Sequence, residues 1–218
     1  MNLMTTAAQI AQILLETKAV KISIDPPFTW TSGITSPIYC DNRILISFPG
    51  KREAIVNAFC ELVKPLKPDC IAGTATAGIP WASFVAYELD LPMVYVRPEP
   101  KAHGVGKQIE GYLPEGQKVV LVEDLISTGG SSIKVAKVLQ EQGKADVISV
   151  LAIVTYEMAA SKKTFEEAKI PLTTLTNFTS LLDEVKKQGY LDESQVKTVL
   201  EFSKDPPGWW SKLSLRGA

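Results

Sequence analysis

Cysteine is scarce in this chain. Cys40, Cys60 and Cys70 are the three among 218 residues, and none has the paired spacing of a metal site. An odd count fits a reducing compartment better than a disulfide framework. An excess of charge is missing too. The net charge is -1, so nothing in bulk draws the chain to a polyanion, and nucleic acid is not an expected partner. Long apolar runs are absent. The longest, Val147–Val154, is far too short to cross a bilayer. The first twenty residues lack a basic stretch ahead of their apolar positions, and Glu16 and Lys18 interrupt the pattern. They read as an amphipathic helix, not a signal peptide. These absences predict a cytoplasmic protein with no membrane partner. The chain also lacks internal repeats and low-complexity tracts.

Alternation is what the sequence does have. Ala7, Ile10, Ala11 and Leu14 recur at helical spacing. Short strands are expected at 20–24 and 36–41, around a turn at 31–37. Residues 47–66 predict a helix with Ser47 as N-cap, Pro49 in its first turn and Pro65 near its end. Then strands at 70–74, 92–97, 118–124, 146–156 and 171–177 alternate with helices at 78–89, 131–143 and 163–170. Gly143 closes the second of these helices. A tail from Phe178 reads as helical in two pieces. Strands that are continuous apolar runs, alternating with helices, imply an α/β protein whose mostly parallel sheet is covered on both faces. Ligands on such sheets bind beyond the carboxyl ends of the strands. The loops to watch are therefore 73–80, 97–116 and 123–131. The stretch Pro98–Gly116 is the one long loop inside the sheet region, and long loops in compact domains usually bind or cover something.

The third of these loops is the most informative. In "VVLVEDLISTGGSS" (119–132), an apolar strand runs into Glu123 and Asp124 and then a small-residue turn. Glycines at 129 and 130 let successive backbone N–H groups face one anion, and a helix N-terminus follows. Ser127, Thr128 and Ser131 add hydroxyl donors. No Lys-Ser or Lys-Thr pair follows the glycines, so this is not a Walker A loop, and GxGxxG is missing as well. A capped turn with two solvated acids is the plain alternative. Acids beside a phosphate cup repel a phosphate unless something separates them. A sugar fits, with its hydroxyls on Glu123 and Asp124 and its 5'-phosphate in the cup. Magnesium suits the same oxygen-rich setting. In the long loop, Arg97, Lys101, His103 and Lys107 gather cations among Gly104 and Gly106. A solvated loop is the plain reading. A lid that clamps a diphosphate is the reading we favour, because closure would exclude water and neutralise a leaving pyrophosphate.

At these residues a resemblance emerges. "VVLVEDLISTGG" resembles the phosphoribosyl pyrophosphate (PRPP) signature of type I phosphoribosyltransferases. "FTWTSGITSPIYCDNR" (28–43) resembles the substrate-binding segment of the orotate phosphoribosyltransferase family, and "VRPEPKAHGVGKQIEG" (96–111) its catalytic loop. The likeness runs from about Ile22 to Tyr156. It implies a type I phosphoribosyltransferase fold in one domain: an N-terminal hood at 1–48, a PRPP-binding core at 49–176 and a helical tail at 177–218. It implies transfer of phosphoribosyl from PRPP to orotate in pyrimidine biosynthesis. By resemblance Lys101, His103 and Asp124 are catalytic. PRPP contacts fall on Arg97, Lys101, His103, Glu123, Asp124, Leu125, Ile126, Ser127, Thr128, Gly129, Gly130 and Ser131. Orotate contacts fall on Ser127 and Tyr39. Mg2+ is the expected cofactor, held mainly by PRPP and water. A homodimer is expected, with the 98–111 loop reaching the neighbouring site.

The sequence departs from the family pattern in places. Pro98 stands where members often have Lys after the equivalent of Arg97. Thr76 and Ala77, in the pyrophosphate loop "GTATAGIP", stand where many have Tyr-Lys. Thr31 replaces a base-site Lys, and Cys40 one of an aromatic pair. An expected carboxylate-binding Arg falls near Thr155 or Tyr156. Recognition of orotate then leans on Ser127, backbone N–H groups and Arg43. The alternatives are a purine phosphoribosyltransferase, against which "FTWTSGITSPIY" speaks, and a non-catalytic PRPP-sensing regulator, against which the loop cations speak. For Trp209 and Trp210 the reading is a docked C-terminal segment.

Overall fold

The computed structural model describes residues 5–30, 33–99 and 107–214. Helix α1 (Ala7–Glu16) opens on a capping box. Thr6 accepts from the Gln9 backbone N–H, and the Gln9 side chain accepts from the Thr6 N–H. Next come four short strands: β1 (Val20–Ile22), β2 (Phe28–Thr29), β3 (Thr35–Ser36) and β4 (Ile38–Cys40). β1 pairs antiparallel with β4, and β2 with β3. A 3-10 turn over Asn42–Ser47 leads into α2 (Pro49–Val63). Ser47 is not the cap of α2 as expected. The 3-10 turn takes it in, and Phe48, with no side-chain cap, stands at the N-cap while Pro49 opens the helix.

The main chain rhythm then runs β5 (Cys70–Thr74), α3 (Gly78–Leu89), β6 (Met93–Val96), β7 (Ile109–Glu110), β8 (Lys118–Ile126), α4 (Gly130–Glu141), β9 (Asp146–Thr155), α5 (Ala159–Ala168) and β10 (Leu172–Asn177). The tail folds as three helices, α6 (Phe178–Lys187), α7 (Glu193–Lys204) and α8 (Trp209–Ser214), where two were expected. The six-stranded sheet has the order β10-β9-β8-β5-β6-β7 and is parallel apart from β7. β7 was not expected. It is a two-residue edge strand inside the long polar stretch, too short to leave a periodic signal.

The apolar strands are buried on both faces, and the alternation of side chains shows why. Ile71, Val120, Val122, Leu151 and Ile153 point into one core with α1, α2, α3, α6 and α7. Cys70, Ala72, Val119, Leu121, Val150 and Ala152 point into the other with α4 and Phe165 of α5. Close packing explains one glycine of the β5–α3 turn. A Cβ on Gly78 would lie 2.4 Å from the Val122 carbonyl oxygen. Gly143 follows the C-cap of α4, but the left-handed residue there is Lys144. A Cβ on Gly143 would sit 2.6 Å from the Leu139 carbonyl oxygen, so it is a glycine for space. Trp209 is buried in the first core, and its indole N–H donates to the Thr198 carbonyl at 2.8 Å. The tail docks as expected, but of the two indoles only Trp209 is buried, and Trp210 is half-buried.

The sheet reverses direction of winding between β5 and β8. From β5 the chain builds outward to β6 and β7, then returns to add β8, β9 and β10 on the other side. The crevice beyond the carboxyl ends of β5 and β8 is thus the switch point where such sheets bind ligands.

Candidate active site

The cup lies at that switch point. The two acids are not at the end of the strand, as the sequence suggested. β8 continues through both to Ile126, and the turn begins at Ser127. Leu125 and Ile126 are therefore strand residues. The Ile126 side chain is in the core and its carbonyl accepts from the Tyr156 N–H at 3.0 Å. Ser127 is half-buried, Thr128, Gly130 and Ser131 are exposed, and Gly129 is buried.

The two glycines have different reasons. Gly129 has φ +80, and an added Cβ would meet the Phe165 ring at 2.6 Å. The fold demands glycine there. Gly130 has an ordinary φ, and the nearest atom to an added Cβ is Thr128 Oγ1 at 3.9 Å. Neither backbone nor packing requires glycine at 130. What its absence of a side chain provides is bare backbone at the first turn of α4, open to an incoming anion.

Glu123 is buried, 6% exposed. Its Oε1 accepts from the Asp124 N–H at 3.0 Å and its Oε2 from the Ser132 hydroxyl at 3.4 Å. Burial, and then the charge of Asp124, push the Glu123 carboxyl up to about 8. Burial raises Asp124 too, opposed by hydrogen bonds from Glu123 and the backbone. Of the two adjacent acids, the deeper Glu123 is the one that burial and its neighbour's charge push toward the protonated form. Thr74, at the end of β5, weakly opposes the Glu123 shift, yet its hydroxyl is buried without a hydrogen bond of ordinary geometry. The Ala75–Thr76 peptide that follows is cis.

The N-terminal segment locks onto the acids through a residue the sequence did not single out. Asn42 is fully buried, and its Nδ2 donates to the Asp124 carbonyl at 2.9 Å. Arg43, beside it, is paired with Asp41 at 2.6 Å. Tyr39 is 38% exposed and packs at a tilt on Phe28, ring centroids 5.8 Å apart. Tyr156 is buried and stacks on Trp30 at 5.3 Å. Trp30 in turn meets the edge of Phe202 from α7 at 5.4 Å.

Arg97 stands at the end of β6, 3.6 Å from Glu110. It lines a cavity of about 190 Å³ with Thr74, Gln108, Ser131 and Lys134. Lys134, one turn into α4, is a second cation there that the sequence did not single out. The stems of the long loop are held by Gln108. Its Nε2 donates to the Arg97 and Pro98 carbonyls at 3.1 and 3.3 Å. Its backbone N–H and its Oε1 pair with the Gln142 side chain at 3.3 and 3.1 Å. Lys101, His103 and Thr31 lie outside the described residues.

A switch-point cup next to paired acids, with cations on the far side, suits a phosphorylated sugar. Residues 50–189 match the phosphoribosyl transferase domain family. Fold and match together define a phosphoribosyltransferase. The chain is 48% identical over 208 residues to an orotate phosphoribosyltransferase of Listeria monocytogenes, covering 94% of this chain and 99% of that protein. An orotate phosphoribosyltransferase from Aeropyrum pernix superposes with a TM-score of 0.72 at 29% identity, over 84% of this chain and 99% of that one. Leishmania donovani UMP synthase superposes with a TM-score of 0.78 at 26% identity, over 90% of this chain and 42% of that longer one. The chain belongs to the orotate phosphoribosyltransferase family. Among the described residues, no helix is long and apolar enough to cross a membrane.

Proposed function

We propose that this protein is a pentosyltransferase that joins orotate to PRPP, giving orotidine 5'-monophosphate and pyrophosphate. The observation that carries the reading is the pairing, on one continuous stretch at the switch point, of the acids at 123–124 with the open backbone at Gly130. In this reading Ser127, Thr128, Gly129, Gly130 and Ser131 grip the 5'-phosphate. Asp124 and Glu123 take the ribose hydroxyls. The proton kept on Glu123 leaves one negative charge facing the sugar, which limits repulsion of the phosphates. Leu125 and Ile126 offer backbone alone, since their side chains are packed. Arg97, Lys101 and His103 receive the pyrophosphate, with Lys101 the main cation, and Lys134 faces the same cavity. Tyr39 and Ser127 border the base.

Glycosyl transfer of this kind passes through a state with positive charge on the ribose ring. No covalent nucleophile is needed. The protein orients the two reactants, excludes water and stabilises the leaving group. The donor set fits a magnesium ion that arrives with PRPP. Glu123 and Asp124 lie side by side and offer the oxygen donors such an ion prefers. When bound, the ion supplies neutralising charge to the diphosphate. The working unit in this reading is a homodimer in which the 98–111 segment reaches the neighbouring site. The free cysteines at 40, 60 and 70 are compatible with the cytoplasm.

The test is direct. The protein is incubated with PRPP, magnesium and one base at a time, and pyrophosphate release is followed. Release with orotate is expected. Release with a purine, or with no base, overturns the reading.

A further inference from the structure

Orotate carries a carboxylate, and among the described residues around the proposed base site the positions at 155 and 156 supply no cation. Thr155 and Tyr156 are both buried, and Tyr156 is spent on Trp30. Arg43 is paired with Asp41. Desolvating a carboxylate against such walls is costly without a counter-charge.

A cavity of about 350 Å³ opens beside the cup. Ser127, the first residue of the cup, lines it, which ties it to the transfer site. Trp30 and Ile34 come from the N-terminal segment, Met158 from the N-cap of α5, and Lys204 and Pro206 from the tail. Its size and its aromatic wall suit one planar ring. Lys204 is the one charged residue among the described residues that line it. Lys204 is exposed and, among the described residues, makes no ion pair. The adjacent Asp205 does not neutralise it, because that carboxylate is taken by Lys212 at 2.5 Å and the Gly208 N–H at 3.2 Å. The first turn of α5 borders the same cavity through Ala159 and Ala160, and Met158 at its N-cap supplies no side-chain cap. Two features that favour an anion therefore meet in one pocket next to the reacting sugar.

We infer that Lys204, on the last turn of α7, is the counter-charge for the carboxylate of the pyrimidine base. The inference rests on the proposed orotate activity and deepens it. It also gives the tail a task. Phe202 and Trp209 are buried and pack edge to face, and Phe202 abuts Trp30. That packing fixes the end of α7 against the base site and sets where Lys204 begins.

The test separates charge recognition from folding. Orotate and its neutral methyl ester are compared as competing ligands, and the ratio of their affinities is read. Lys204→Ala should lower that ratio by about 10- to 100-fold, the range for losing one charge-assisted contact. KM for PRPP and the thermal midpoint should stay as in the wild type. Lys204→Arg should restore most of the ratio. An unchanged ratio in an active Lys204→Ala protein overturns the inference and leaves the orotate reading standing. Equal weakening of orotate, its ester and PRPP overturns it too, as a general effect on the fold. A wild type that releases no pyrophosphate with orotate removes both.

Discussion

Replacing Glu123 with Gln removes one titrating proton from the floor of the site and keeps the side-chain shape. The magnitude follows from burial. In the unfolded chain this carboxyl titrates near 4.5; in the folded protein it is raised to about 8. Below 4.5 both states hold the proton and the group costs nothing. Between 4.5 and about 8 the unfolded chain ionises while the folded protein does not. Stability therefore falls as pH rises, by about 1.4 kcal/mol per unit. Above about 8 both states are ionised and the cost is constant, at about 5 kcal/mol in full. Gln escapes this cost. Its oxygen can still accept from the Asp124 N–H, and its amide can donate to Ser132, whose hydroxyl lies 3.4 Å from Oε2 in the native protein. Urea unfolding of both proteins at pH 5, 6, 7, 8 and 9 reads the effect. The gap in unfolding free energy should be small at pH 5 and grow to roughly 3–5 kcal/mol in favour of Gln at pH 9. Parallel curves, with a gap that does not change with pH, would refute the raised carboxyl and the proton kept on Glu123 with it. The same proton has a second signature. If that proton stays on Glu123 when PRPP and magnesium bind, the calorimetric heat at pH 7 should show no dependence on buffer ionisation enthalpy beyond that of PRPP itself, and Glu123→Gln should match the wild type in this respect.

The two glycines of the cup should separate. Gly129→Ala should destabilise the protein by more than about 1 kcal/mol, since φ is positive and Phe165 fills the space. Gly130→Ala should leave stability unchanged or raise it by up to about 1 kcal/mol, as alanine favours helix, while raising KM for PRPP at least about tenfold because a methyl group enters the path of the phosphate. Equal effects of the two on folding and on KM would remove the distinction. Asp124→Asn should weaken PRPP binding in the presence of magnesium, measured by calorimetry; unchanged affinity would end its sugar-binding role. Lys101→Ala should cut turnover by about 100-fold or more, as expected for a lost transition-state charge, with the circular dichroism spectrum intact; wild-type turnover would sink the lid assignment.

The parts of the fold that the sequence announced share a cause. β5, β8 and β9 each carry an unbroken apolar run because both faces of the sheet are covered, and a run such as Val119–Val122 has few other destinations. The helix at 78–89 was legible for the same reason, bounded by a small-residue turn at one end and Asp90 in left-handed geometry at the other. Features set by single neighbours were not legible. Ser47 looks like a cap until the 3-10 turn absorbs it. β7 exists because two residues fall beside β6. The pairing of Gln108 with Gln142 joins residues 34 apart, and neither glutamine stands out locally. That pair has mechanical meaning, because Gln142 ends the helix whose first turn is the cup. One element, α4, thus connects the proposed phosphate grip to both stems of the long loop.

The same distinction divides the site itself. In the proposed reading a phosphate is held by the backbone of one turn, so glycines and hydroxyls within five consecutive residues suffice, and the pattern is visible in any reading of 127–131. A base ring needs walls, and walls come from wherever the chain returns. Trp30 meets Tyr156 and Phe202, residues 126 and 172 positions away along the chain, and Asn42 reaches the Asp124 carbonyl across 82. No local motif encodes such meetings. The vacant positions in the family pattern, Thr31 and the residues after Val154, are therefore poor guides to how the base is held. A cation supplied by the tail fills the chemical need from a segment whose sequence near Lys204 carries no signature at all. Selectivity for the base should accordingly respond to changes in α7 and α8, while affinity for PRPP should not.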